Sequence, residues 1–159
     1  MAKAPEAAPQ ENEAAQPGFA IEKLYVKDAS IEVPGAPQIF TNRTAPQINV
    51  ELGNSATKLD DGVFEVSIKV TVTAKIEETT AFLVEATQSG IFAIKGIPDE
   101  NLEAVLAITC PNILFPYARE AVSDMVTRAG FMPVLLNPIN FEALYAQQQA
   151  EQNTSQTPS

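Results

Sequence analysis

Val63-Phe-Glu-Val-Ser-Ile-Lys-Val-Thr-Val-Thr-Ala-Lys-Ile76 alternates from end to end. Phe64, Val66, Ile68, Val70, Val72, Ala74 and Ile76 fall on one side, and Glu65, Ser67, Lys69, Thr71, Thr73 and Lys75 on the other. A strand turns successive side chains to opposite faces, so this pattern reads as a strand with one buried face. Asp60-Asp61-Gly62 before it is a turn signal, and Glu77-Glu78-Thr79 after it is a weaker one. Thr80–Ile94 is then the hairpin partner. Phe82, Val84, Ala86, Gln88, Phe92 and Ile94 share its even face, while Leu83, Glu85, Thr87, Ser89 and Ile91 share its odd face.

Working outward, Phe19–Val33 also alternates, with Phe19, Ile21, Tyr25, Ile31 and Val33 set against Glu22, Asp28, Ser30 and Glu32. Leu24 and Val26 interrupt the polar side, which calls for a bulge or for burial on both faces. Gln47–Leu52 reads as a short strand with Ile48, Val50 and Leu52 inward. Between these two strands, Pro34-Gly35-Ala36-Pro37 starts a crossing loop that runs to about Pro46. After Pro98 the period changes. Leu102, Val105, Leu106 and Thr109 share a helical face, and Pro111 and Pro116 are expected to break or kink the segment. Ala118–Ala129 resumes it, with Gly130 as the stop. A short helix over Phe141–Gln148 follows Asn140, a good N-cap residue. Four strands followed by helices predict an α+β fold: a four-stranded antiparallel sheet, a long kinked helix and a short C-terminal helix.

The chain has 159 residues, 45% of them apolar, which suits one domain with tails. The expected division is a disordered tail over 1–18, a folded domain over 19–148 and a second disordered tail over 149–159, since the Ala/Pro/Glu-rich and Gln/Ser/Thr-rich ends bury too little to offset their ordering entropy. Net charge is −10, and such a surface repels nucleic acid and anionic lipid but attracts basic partners. No apolar run approaches a membrane span, and the N-terminus has no apolar core of a signal peptide. A cytoplasmic location is expected, and the single cysteine, Cys110, fits a reducing compartment.

Two readings follow from the faces. Strands of about 45 Å are more than two helices of this length can cover, so subunits are expected to associate with helices sandwiched between sheets. On the other side, Asp28, Ser30 and Glu32 share a parity, as do Leu83 and Glu85. Brought together, they make either an acidic docking patch with one apolar anchor, or a solvated face with a stray leucine. Catalysis is not expected. There is no histidine. The carboxylates of Asp60/Asp61 and Glu77/Glu78 are sequence neighbours that diverge on an extended chain, and Cys110 reads as a small buried apolar residue. No phosphate-binding Gly-Lys-Ser/Thr loop is present. No metal, cofactor or catalytic residue is assigned.

Cys110-Pro-Asn-Ile-Leu-Phe-Pro-Tyr-Ala-Arg-Glu120 resembles the signature of the SecB export chaperone family. Tyr25-Val-Lys-Asp-Ala-Ser-Ile-Glu-Val-Pro34, Val70–Ala74, Thr80–Glu85, Gly90–Ile94 and Asn137–Leu144 resemble further family blocks in the same order, covering about Phe19 to Gln148. The resemblance implies a homotetramer, a dimer of dimers, acting without nucleotide as a holdase for unfolded precursor proteins. It implies delivery of these precursors to the SecA motor ATPase for export. Asp28, Glu32, Leu83 and Glu85 match the family's site for SecA, whose expected contact is its basic, zinc-binding C-terminal tail. Phe82, Val84, Ala86 and Gln88 match positions at which subunit association is sensitive, although Val84 and Ala86 replace residues that are often Cys and Val. The implied client groove lies among the crossing loop, the main helix and the terminal helix, with Phe40, Phe141, Leu144 and Tyr145 as its candidates. Thr44 stands where an aromatic residue is common. For Phe141 and Leu144, the packing stripe of an amphipathic helix is an equally open reading. The competing function is an oligomeric adaptor that binds a basic partner without holding clients.

Overall fold

The computed structural model describes residues 18–155. Apart from Gly18, the expected N-terminal tail lies outside them, and so do residues 156–159. The strands β1 (Gly18–Glu32), β2 (Gln47–Asp60), β3 (Val63–Ile76) and β4 (Thr79–Lys95) form one antiparallel sheet in the order β1-β4-β3-β2. The β2–β3 hairpin closes on Asp61-Gly62, where Gly62 takes φ 68° and the Asp60 carboxylate accepts the Asp61 N–H at 2.8 Å. The β3–β4 hairpin closes on Glu77-Glu78. Glu77 occupies the left-handed region at φ 56° without being glycine, which is why its turn signal is weak in the sequence.

The even faces of β3 and β4 are buried as the alternation predicts, with Val66, Ile68, Val70, Val72 and Val84 fully enclosed. β1 resolves its broken pattern through two register shifts, between Ile21 and Lys23 and between Val26 and Asp28. Each extra residue inverts the parity beyond it. Leu24 and Val26 therefore sit opposite Gly90 and Gln88 on the inner face, and Tyr25, expected inward, sits opposite Ser89 on the outer face. β2 runs to Asp60 rather than ending at Leu52. The backbone of β3 needs a partner along its whole length, and an edge strand exposed on both faces needs no apolar alternation to advertise itself.

The segment after Pro98 is one continuous helical run: α1 (Asp99–Ala104), a π-helical turn (Val105–Thr109) and α2 (Cys110–Arg128). Neither proline breaks it. The wider π turn ends two residues before Pro111, which lacks the N–H of an ordinary i→i−4 bond, and Pro116 is carried inside α2. Leu114, Phe115, Ala118, Val122 and Val126 press α2 onto the sheet. Gly130, at φ 95°, ends the helical path, and the Phe131 N–H returns to the Val126 carbonyl at 3.2 Å. The last helix, α3 (Phe141–Ser155), is capped by the Asn140 side chain, which accepts the Ala143 N–H at 3.0 Å.

α3 is longer than the sequence suggests, so residues 149–155 are helical where a disordered tail was expected. Gln and Ala are good helix formers. Gln149 also donates to Glu103 at 3.2 Å, tying this stretch back to α1. Among the described residues no helix is long and apolar enough to cross a membrane.

A helix with its side chains is about 10–12 Å wide, and neighbouring strands lie about 4.8 Å apart. One helix therefore covers the central pair and leaves both edges bare. Phe19, Ile21 and Val26 on β1, and Ile48 and Val50 on β2, point to the inner face yet remain 44–52% exposed, Phe19 slightly less at 40%.

Candidate functional site

The pairing registers place the outer-face side chains in rows across the sheet. One row reads Asp28, Thr87, Lys69; the next Ser30, Glu85, Thr71, Glu51; the next Glu32, Leu83, Thr73, Asn49. Asp28, Glu32, Leu83 and Glu85 thus share one patch, because β1 and β4 are direct neighbours within the chain. Asp28 and Glu32 are exposed, while Leu83 is half-buried between Glu32 and Thr73. Glu85 is already engaged: Lys69 Nζ lies 3.7 Å from its Oε1, and the Thr71 hydroxyl donates to the same atom at 3.3 Å. Sequence reasoning did not pair these residues. Lys69 and Thr71 were visible on the polar side of β3, but only the register shows which carboxylate they meet.

Further along the same face, Lys27 approaches Glu65 Oε1 at 2.8 Å, and the Tyr25 hydroxyl donates to Glu65 Oε2. The hydrogen bond from Lys27, followed by that from Tyr25, holds the Glu65 carboxyl below its ordinary range. Burial, then the bond to Glu65, raises the Tyr25 phenol. Beside this cluster, the buried Ser67 and Ser89 hydroxyls share a hydrogen bond of 2.7 Å.

The inner face carries a cavity of about 1080 Å³. Ile39 and Phe40 of the crossing loop, Ile48, Val50 and Leu52 of β2, and Phe131 to Leu136 of the loop after α2 wall it, while Val70, Phe82 and Phe115 reach its floor. Phe40 stacks on Phe131 at 5.2 Å between centroids, and Phe131 on Phe82 at 4.9 Å. Gly130 allows this approach, since a Cβ there would meet the Phe40 ring at 3.1 Å. The loop behind it is anchored by Arg119, whose Nε donates to the Leu136 carbonyl at 2.7 Å while its guanidinium lies 5.0 Å from the Phe115 ring centroid. Met132 and Leu135 stand 88% and 74% exposed on the cavity wall. The apolar run Phe131-Met-Pro-Val-Leu-Leu136 was a signal the sequence reading left unused.

Of the expected groove residues, Phe40 lines this cavity. Phe141, Leu144 and Tyr145 do not. Phe141 is 2% exposed and packs edge-on to Phe115 at 5.9 Å, so its role is core packing. Phe82, Val84, Ala86 and Gln88 are all buried inside the single chain, beneath α2, and leave no side-chain surface for another subunit to touch. Cys110 is buried too, and desolvation pushes its thiol up to about 12, far from a reactive thiolate. Among the described residues no cluster of His, Cys, Asp and Glu has the arrangement of a metal site.

Residues 12–152 match the family model described as SecB, preprotein translocase subunit SecB. Protein-export protein SecB of Methylobacillus flagellatus is 62% identical over 137 residues, 86% of this chain and 87% of that one. Those of Aromatoleum aromaticum and Chromobacterium violaceum are 63% and 59% identical, over 86% and 89% of this chain and 87% and 95% of theirs. In fold, the chain is similar to the Mycobacterium tuberculosis Rv1957 SecB-like chaperone, solved in complex with a ChAD peptide from the Rv1956 HigA1 antitoxin, with a TM-score of 0.63 at 20% identity over 76% of this chain and 90% of that one. The chain belongs to the SecB family of protein-export chaperones.

Proposed function

We propose that the protein is a nucleotide-independent holdase that captures unfolded precursors on the inner face and presents the outer face to SecA. The observation that carries this reading is the division of one sheet. An apolar cavity opens on one side, and a carboxylate row around Leu83 lies on the other. Alternation along β4 serves both, since Phe82 and Val84 point in while Leu83 and Glu85 point out. Extended apolar segments of a client gain burial against Phe40, Val50 and Phe131. The basic, zinc-binding tail of SecA finds opposite charge in Asp28, Glu32 and Glu85 and an apolar anchor in Leu83.

A homotetramer completes the picture, with further subunits covering the bare apolar edge of Phe19, Ile21 and Val26 on β1 and leaving the β2 side open to clients. Phe82, Val84, Ala86 and Gln88 then act on assembly from within, by setting how α2 and the edge strands sit. Gln88→Arg buries a charge opposite Val26 and is expected to shift the tetramer toward dimers, read as a lower mass in light scattering. An unchanged mass would count against this indirect role.

The deciding experiment is suppression of aggregation. Stoichiometric protein should abolish light scattering by a refolding precursor, and Val50→Asp should lose most of that effect. Val50 is 44% exposed, so the substitution perturbs folding little while placing a charge in the cavity. Scattering untouched by the wild-type chain would leave only the adaptor reading.

A further inference from the structure

We infer that Glu65 is a positioning residue of the acidic face, holding Lys27 away from Asp28 so that the Asp28 carboxylate stays open to a basic partner. This rests on the SecA-docking reading above. In a regular strand Lys27 and Asp28 would face opposite sides of the sheet. The register shift between Val26 and Asp28 changes that: Lys27 is the extra residue, and it reaches Glu65 on the same outer face that carries Asp28. The bulge thus puts an ammonium and a carboxylate side by side on the docking surface, where they would neutralise each other.

They do not pair. Lys27 Nζ lies 2.8 Å from Glu65, a residue of β3, on the far side of β4. The Glu65 side chain is 18% exposed, against 52% for Lys27, and its second oxygen accepts the Tyr25 hydroxyl. A half-buried carboxylate with a neighbouring donor holds an ammonium better than a solvated one does. Among the described residues no cation lies within 4.0 Å of Asp28 or Glu32. The sheet therefore spends one carboxylate to keep the Asp28 carboxylate unpaired.

The test is a cycle of full-length variants, titrated with the zinc-loaded C-terminal tail peptide of SecA at low salt. Glu65→Gln releases Lys27 toward Asp28 and should weaken binding about threefold to fivefold. Lys27→Gln should bind at least as tightly as wild type. The double variant should recover wild-type affinity, since no ammonium remains to release. A merely structural role for Glu65 predicts no such recovery, so a double variant as weak as Glu65→Gln overturns the inference, as does an unaffected Glu65→Gln. Glu85→Lys run alongside separates the two levels. If it weakens binding and the cycle fails, only the assignment of Glu65 falls; if it binds as wild type, the docking reading falls and takes the assignment with it.

Discussion

Glu85→Lys is expected to weaken binding of the SecA tail by about tenfold to a hundredfold while leaving aggregation suppression intact. The charge change is twofold in effect. One carboxylate of the patch disappears, and the new ammonium arrives beside Lys69, whose Nζ now lies 3.7 Å from the residue-85 carboxylate. Two like charges then sit side by side on adjacent rows, position 85 between Ser30 and Thr71 and Lys69 next to Thr87. The fold should tolerate this, because the Glu85 side chain is 39% exposed and its ion pair is a surface one worth at most about 1 kcal/mol. Calorimetric titration reads the affinity, and light scattering of a refolding precursor reads holding. Loss of both together would mean that the two faces of the sheet are not separate functional surfaces. The wild-type affinity should also fall as salt rises, because an exposed acidic patch is screened.

Phe82→Ala should be the most damaging single truncation to test, destabilising the chain by about 3–5 kcal/mol. Phe82 is 1% exposed, lies opposite Ala74 on β3, and is the base of the stack that continues through Phe131 to Phe40. Its removal opens a void under α2 and leaves the cavity wall without support. Native stability is of order 5–15 kcal/mol, so the denaturation midpoint should fall sharply, and the remaining folded protein should hold clients poorly. A shift below about 1 kcal/mol would show that the loop after α2 collapses onto the vacancy and that the aromatic stack does not organise the cavity.

Much of this architecture was legible because its signals are local. Alternation over Val63–Ile76 and Thr80–Ile94 named the buried face residue by residue. Asp60-Asp61-Gly62, Gly130 and Asn140 marked a turn, a helix stop and a cap through chemistry that needs no distant partner. Parity also put Asp28 and Glu32 in one set and Leu83 and Glu85 in another. What alternation could not supply was the place at which it is interrupted. The bulges in β1 sent Tyr25 outward and brought Lys27 beside Asp28, and nothing in the composition of that strand fixes where an extra residue is accommodated. β2 beyond Leu52 was missed for a related reason: Gly53, Asn54, Ser55 and Thr57 have no side to bury, and their strand conformation is imposed by β3.

Site residues divide along the same line. Which residues are polar, apolar or charged, and which face of a strand they take, is written in neighbours one or two positions apart. Which of them meet depends on register between strands and on what a helix happens to cover. Glu85 with Lys69, Glu65 with Lys27, and Phe40 with Phe131 are contacts across 16, 38 and 91 positions, differences taken from their residue numbers. Burial of Phe82, Val84, Ala86 and Gln88 within the chain was likewise decided by where α2 lands. A helix covers about two strands, so tertiary packing alone determined which apolar residues became core and which were left bare at the edges.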